Sequence, residues 1–186
     1  MAFNARKAAQ TLAYFAIRNG GNPIEKLKAV KLVYLADRSA IEAHGHPILD
    51  ESRYSMPHGP VNSDTLDCLN GSFFPFQKGD WDAFVSSGNN KVGLANPVGI
   101  DELDELSDCE LEVLEAVWER FKGFSAWQLR NWTHDKENVP EWQDPSGSRL
   151  PIQLEDIYAA VGVGNVAAAA EEHRSAEQAT DFLRSL

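Results

Sequence analysis

The chain has 186 residues, 43% of them hydrophobic and 24% charged, which is enough for one packed core and leaves no run apolar enough to span a membrane. Its net charge of −11, from 17 Lys+Arg against 28 Asp+Glu, argues against a general affinity for phosphate backbones. Two cysteines without CxxC spacing, Cys68 and Cys109, exclude a disulfide scaffold and, with no apolar leader in Met-Ala-Phe-Asn-Ala-Arg-Lys, point to a reducing cytoplasm.

Apolar positions at Ala9, Leu12, Ala13, Phe15, Ala16 and Ile17 predict a helix over 5–18, stopped by Asn19-Gly20-Gly21. A second helix is predicted from an Asn22 cap, with Pro23 in its first turn and Glu25 completing a capping box, and it runs to Gly45. Its stripe of Ile24, Leu27, Val30, Tyr34 and Ile41 is widened by Leu32, Val33 and Leu35, as expected of a central helix packed on more than one side. Arg53-Tyr54-Ser55-Met56 reads as a short strand, which Pro57 and Pro60 restrict to a sheet edge or to its own end, since neither can donate to a ladder. Asn62 or Ser63 should cap a short helix through Leu66 and Leu69 to Gly71. Phe73-Phe74-Pro75-Phe76 follows, an apolar cluster expected to be buried.

Phe84-Val85 and Lys91-Val92-Gly93-Leu94 flank Ser86-Ser87-Gly88-Asn89-Asn90, the pattern of a small hairpin. Ser107-Asp108-Cys109-Glu110 is a capping box opening a helix whose apolar face is Leu111, Leu114, Val117, Trp118 and Phe121. A second box, Ser125-Ala126-Trp127-Gln128, opens a short helix through Leu129 and Trp132 to Thr133-His134. Residues 135–151 read as a polar loop holding Trp142, and Ile152 to Val161 as a further helix stopped by Gly162 and Gly164. Residues 165–186 form an Ala- and Glu-rich helical tail with few large apolar groups before Phe182, Leu183 and Leu186. The predicted fold class is mainly α (α+β): a single helical domain over 1–164, with a small antiparallel β element and an insert at about 72–100, followed by a C-terminal helical tail over 165–186.

Little in the chain points to catalysis. His44, His46 and His58 are close in sequence, but no third ligand stands at a recognised spacing, and neither HExxH nor a cysteine pair occurs. Cys68 follows Asp67 and Cys109 lies between Asp108 and Glu110, so neighbouring carboxylates should raise both thiols. A Ser/His/Asp set can be drawn from Ser125, His134 and Asp135, yet Ser125 is better explained as a helix cap. Neither GxxxxGK[ST] nor GxGxxG is present. No catalytic, cofactor-binding or metal-binding residue is assigned, and a binding module becomes the leading class.

Two separated blocks resemble the Panacea domain of SocA-like antitoxins and phage-associated proteins. The first comprises Ala8 through Phe15, Lys31-Leu32-Val33-Tyr34-Leu35-Ala36-Asp37, Gly45-His46-Pro47-Ile48, Tyr54 and Gly59-Pro60-Val61. The second comprises Leu106-Ser107, Glu110, Leu114, Phe121, Ser125 through Leu129, Thr133-His134, Trp142 and Ile152 to Ile157. One departure is His58 where the family commonly carries tyrosine before Gly-Pro-Val. The resemblance implies a bacterial or phage antitoxin that binds a toxin encoded nearby. It also implies, for one branch of the family, an adaptor that delivers its toxin to the ClpXP protease.

On that reading the surface expected to meet the partner is Tyr54, Met56 and His58 on the edge segment, Trp127 and Trp132, and Phe182 and Leu183 in the tail, with acidic side chains meeting basic toxin residues. The alternatives are a nucleic-acid-binding regulator of its own operon, using a local basic patch of Arg6, Lys7, Arg18, Lys26, Lys28 and Lys31, and an orphan hydrolase using His58 or His134.

Overall fold

A computed structural model describes residues 3–72 and 77–184, so the Phe73-Phe74-Pro75-Phe76 cluster lies outside the described residues. Helix α1 (Ala5–Arg18) begins where the Asn4 side chain accepts from the Lys7 N–H at 3.0 Å. Helix α2 (Lys26–His44) is the axis of the core. Every residue from Ala29 to Asp37 is buried, because α2 packs against α1, α5 (Asp108–Phe121), α6 (Ala126–His134), α7 (Leu154–Ala160) and strand β3 (Gly59–Asn62) together. The wide apolar stripe is thereby explained. Gly45 ends the helix in the left-handed conformation, φ +80°, returning its N–H to Ile41 O.

The start of α2 differs from the predicted capping box. Ile24–Glu25 forms strand β1, paired antiparallel with β5 (Lys91–Leu94), and the Lys26 N–H donates to Asn90 O at 2.7 Å. Strand pairing therefore satisfies the backbone that a cap would have served. The Asn22 amide is spent locally on Asn19 O, and Glu25 makes no side-chain cap bond. Strand β4 (Val85–Gly88) completes this sheet in the order β1-β5-β4. The β4–β5 hairpin turns through Asn89 and Asn90, both at positive φ, which is the type I′ geometry that suits twisted strands.

A second sheet has the order β3-β2-β6, with β2 at Arg53–Met56 and β6 at Leu150–Ile152. Of the two places left to residues 53–56, a sheet edge or a strand ending at the proline, the second holds and the edge is corrected: β2 ends just before Pro57 but is the middle strand, because residues 150–152, read as the end of a loop and the start of a helix, add a third. Pro60 sits on β3, an edge strand, where its missing donor costs least. Helix α7 consequently starts at Leu154 rather than Ile152. The remaining helices are α3 (Ser63–Leu69), α4 (Lys78–Asp82) and α8 (Val166–Arg184). The chain is mainly helical with small antiparallel sheets. Both predicted capping boxes, Ser107 with Glu110 and Ser125 with Gln128, form as read.

Asn62 does not cap α3, because its side chain is drawn inward. The Asp37 carboxylate, fully buried near the end of the α2 apolar run, accepts from the Leu49 N–H at 2.8 Å, Arg53 Nη2 at 2.9 Å and Asn62 Nδ2 at 2.7 Å. Glu51 stands beside it and accepts from the Thr65 N–H at 2.7 Å and Thr65 Oγ1 at 2.6 Å. Burial pushes both carboxyls up, Glu51 to about 7, while Arg53 opposes the shift at Asp37. One buried carboxylate thus ties the segment after α2, strand β2 and the end of β3 to the central helix.

Removing one member of a buried, hydrogen-bonded pair strands the other charge. Asp37→Asn is expected to lower unfolding free energy by about 3–5 kcal/mol, read from the urea midpoint at neutral pH. A loss below about 1 kcal/mol would show that Arg53 finds equal compensation from Glu51.

Candidate partner-binding surface

The β2–β3 turn is seated on α6 and α2 by close packing. Gly59 has φ +96°, and a Cβ there would lie 2.7 Å from Thr133 Oγ1, 3.1 Å from Lys31 Cε and 3.2 Å from His134 Cδ2. Only glycine combines that backbone with that proximity. Lys31 Nζ donates to Pro60 O at 2.7 Å, Arg130 Nη2 donates to Pro57 O at 3.3 Å, and the His134 ring packs against the Gly59 backbone. The loop following α6 closes from the other side: Trp142 Nε1 donates to Met56 O at 3.2 Å and the Gln143 N–H to Ser55 Oγ at 3.1 Å. Glu141 anchors that loop by accepting from Tyr34 Oη and Arg38 Nε, both at 2.8 Å. The turn is therefore held from three directions.

On this seat the sequence-expected residues separate into groups. Trp127 projects from the first turn of α6 with 60% of its surface exposed, and the His58 ring meets it edge-on at 5.9 Å. These two are brought together. Trp132, half-buried on another flank of α6, stacks T-shaped on Phe121 at 4.9 Å with the Arg120 guanidinium over its ring at 5.1 Å. Tyr54 and Met56 are half-buried, alternating with the buried Arg53 and Ser55, and Arg149 lies 4.7 Å over the Tyr54 ring. Phe182 and Leu183 stand elsewhere, 64% and 68% exposed near the end of α8. That helix packs its first turns on α7, buries Ala170 and sets His173 3.3 Å from Asp50.

The basic cluster expected for an operon regulator is dispersed. Arg6 pairs with Asp104, Lys7 with Glu110 and Arg18 with Glu115, while Lys26 donates to Leu69 O and Lys28 to the carbonyls of Lys122 and Phe124. Lys31 is wholly buried. The drawn Ser/His/Asp set also comes apart, since Ser125 caps one end of α6 by accepting from the Gln128 N–H and His134 closes the other, stacked on Trp142 at 4.0 Å. His58 faces Trp127, whereas His44 and His46 share a cleft of about 550 Å³ with His173 and Asp50. Burial and nearby carboxylates push the Cys68 thiol up to about 12, as the sequence suggested.

Sequence reasoning missed Lys31, Arg130 and His134 as one cluster under the turn. Burial, and then Arg130, push Lys31 down to about 7; burial, Arg130 and Lys31 push His134 down to about 4. The family model for the SocA-like antitoxin, Panacea domain, matches residues 30–143, over half of the chain and including the turn, α6 and Trp142. No curated protein and no solved structure matches the chain.

The buried lysine makes stability depend on pH in a defined direction. With its folded pKa below the ordinary 10.5, the unfolded chain holds a proton between about pH 7 and 10.5 that the folded chain has released, so this group adds stability as pH rises through that window. Urea midpoints should accordingly climb more steeply from pH 7 to 10 in the wild type than in Lys31→Met. Parallel slopes would mean that Lys31 keeps its ordinary pKa.

Proposed function

Because the chain belongs to the SocA-like antitoxin family defined by the Panacea domain, we propose that it neutralises a cognate toxin by direct contact through the surface around the β2–β3 turn and α6. The observation that carries this reading is Trp127: a large ring left exposed in a protein that buries Trp81, Trp118 and Trp142, braced by His58 on a turn locked from three sides. An aromatic anchor on a rigid seat loses little conformational entropy on binding, which is why such residues dominate interface energetics. His58 then acts through its ring edge, in the place where the family commonly carries tyrosine. Covering a toxin's active or substrate surface needs no chemistry from this chain, in keeping with the non-enzymatic role that the family suggests.

The working unit in this proposal is residues 1–164, with 72–100 as an insert and 165–186 as an accessory helical tail, where Phe182 and Leu183 supply a further contact. The operon-regulator reading is weaker, because the cations it needs are committed to carboxylates, to carbonyls or to the core.

Co-expression with the product of the adjacent open reading frame tests this, with growth and co-purification as readouts. The wild type should relieve growth arrest and co-purify with that product; a harmless, non-binding neighbour overturns the proposal. Trp127→Ala should weaken the complex by about thirtyfold or more, the size of an interface hot spot of ~2 kcal/mol. A Phe182→Ser, Leu183→Ser double variant removes the tail contact alone, and unchanged affinity would strike the tail from the interface.

A further inference from the structure

In a chain of net charge −11, carboxylates outnumber cations, so an arginine without one is informative. Arg6, Arg18, Arg38, Arg53 and Arg174 each contact a carboxylate. Arg120, Arg130 and Arg149 contact none among the described residues, and all three belong to the aromatic surface around the turn and α6. Arg120 lies over Trp132, Arg149 over Tyr54, and Arg130 is spent only on Asn131 Oδ1 at 3.0 Å and Pro57 O at 3.3 Å beside His58, its Nε finding no acceptor. Beneath Arg130 lies Lys31, whose Nζ has Pro60 O as its acceptor and no carboxylate. Two acids of the adjoining loop are engaged by neighbouring backbone: Asp135 accepts from the Glu137 N–H at 3.0 Å and Asp144 from the Ser146 N–H at 2.9 Å.

From this arrangement, and building on the proposed toxin-binding role of the surface around the turn and α6, we infer that Arg120, Arg130 and Arg149 receive carboxylate side chains from an acidic segment of the protein partner, with the exposed Trp127 as its apolar anchor. The geometry suits a polypeptide. Arg120 and Arg149, laid against aromatic rings, keep their N–H edges free and pay little side-chain entropy when a carboxylate arrives, while Arg130 is held in place by Asn131 and Pro57 with donors to spare, and such charge-assisted bonds are the stronger kind. These three arginines are opposite in sign to the whole chain, so at this surface cations rather than acidic side chains would meet the partner. The overall negative charge instead repels nucleic acid and leaves discrete carboxylates, flanked by apolar groups, as the better ligand.

The test uses the full chain and a defined probe, an N-acetylated Asp/Glu-rich decapeptide with one central Leu. Its lysine-substituted counterpart and a short DNA duplex run alongside, with tryptophan fluorescence and calorimetry as readouts. The acidic peptide should bind in a salt-sensitive manner and the lysine peptide should not. The triple reversal Arg120→Glu, Arg130→Glu, Arg149→Glu should weaken binding at least about tenfold, and Trp127→Ala should weaken it as well. Arg174→Glu controls for net charge, since that arginine is already paired with Glu155 and Glu171, and it should leave binding unchanged. Far-ultraviolet circular dichroism and urea midpoints report whether the triple variant is folded. If it is not, each single reversal is scored in its place and should weaken binding about threefold or more.

No binding of the acidic peptide, equal binding of both peptides, or loss of binding with Arg174→Glu to the same degree each overturns the inference. So does tighter binding of the duplex that the triple reversal abolishes, which would assign these arginines to phosphates. The outcome is separable from that of the co-expression test. A toxin that co-purifies equally well with the triple reversal removes the carboxylate inference and leaves the antitoxin role standing, while an inert neighbouring protein removes that role without touching the peptide result.

Discussion

The fold depends on one desolvated carboxylate. Asp37 lies on the central helix in a continuous buried run, where an isolated charge would be untenable, and it is made tolerable by three donors from three other segments of chain. Those donors, the Leu49 N–H, Arg53 and Asn62, are the reason the 45–53 segment, β2 and the end of β3 hold fixed positions against α2. Arg53 also donates to Leu49 O at 2.5 Å, so the guanidinium is oriented by backbone as well as by charge. An apolar trio of the same volume could pack as tightly. It would not specify the register of β2 against β3, which the direction of these bonds does.

That register sets which side chains β2 turns outward. With Arg53 and Ser55 turned inward, Tyr54 and Met56 must point outward, because side chains alternate along a strand. The same register brings Gly59 opposite Met56 and leaves Pro57 and His58 as the turn, at the point where Thr133 and His134 of α6 come within contact of the Gly59 backbone. A one-residue slip would place a Cβ against Thr133 and carry His58 away from Trp127. The exposed anchor and the buried carboxylate are thus linked through a short, stiff path of strand and turn rather than through the sequence between them.

Much of this was legible in the chain. The wide stripe of α2, the Gly45 stop, both capping boxes and the Asn-rich hairpin turn are local signals, and local signals survived folding. Elements made by distant partners were not legible. Ile24–Glu25 has too few residues to announce a strand and becomes one only against Lys91–Val92, and Leu150-Pro151-Ile152 reads as the end of a loop and the start of a helix until β2 offers its free edge. Asn62 illustrates the same limit from the other side, for it has the residue type and position of a helix cap, yet donating its Nδ2 to a buried acid turns the side chain inward, and its Oδ1 caps no helix N–H. In the site, Trp127, His58, Trp132 and Tyr54 were found as aromatic residues, but Lys31, Arg130 and His134 were not found as a cluster. Their positions in sequence span more than a hundred residues, and only the fold brings them under one turn.

The family match covers residues 30–143, while the core that supports the matched residues extends beyond it. Ala8, Ala9, Leu12, Ala13 and Phe15 of α1 are buried in the same cluster as Leu32, Leu35 and Leu114, and β6, outside the match, supplies the third strand that makes β2 internal. The segment that carries the family signature therefore includes the turn, α6 and the loop anchored by Glu141, and borrows its rigidity from flanks that meet it through apolar burial, which many residues can satisfy. Polar hubs such as Asp37 and close approaches such as Gly59 have few substitutes. A surface whose position is fixed by such groups, and whose exposed side chains make no contribution to the core, can change its partner without changing its fold. Trp127, 60% exposed on α6 beside the buried Ala126, is placed where that freedom is greatest.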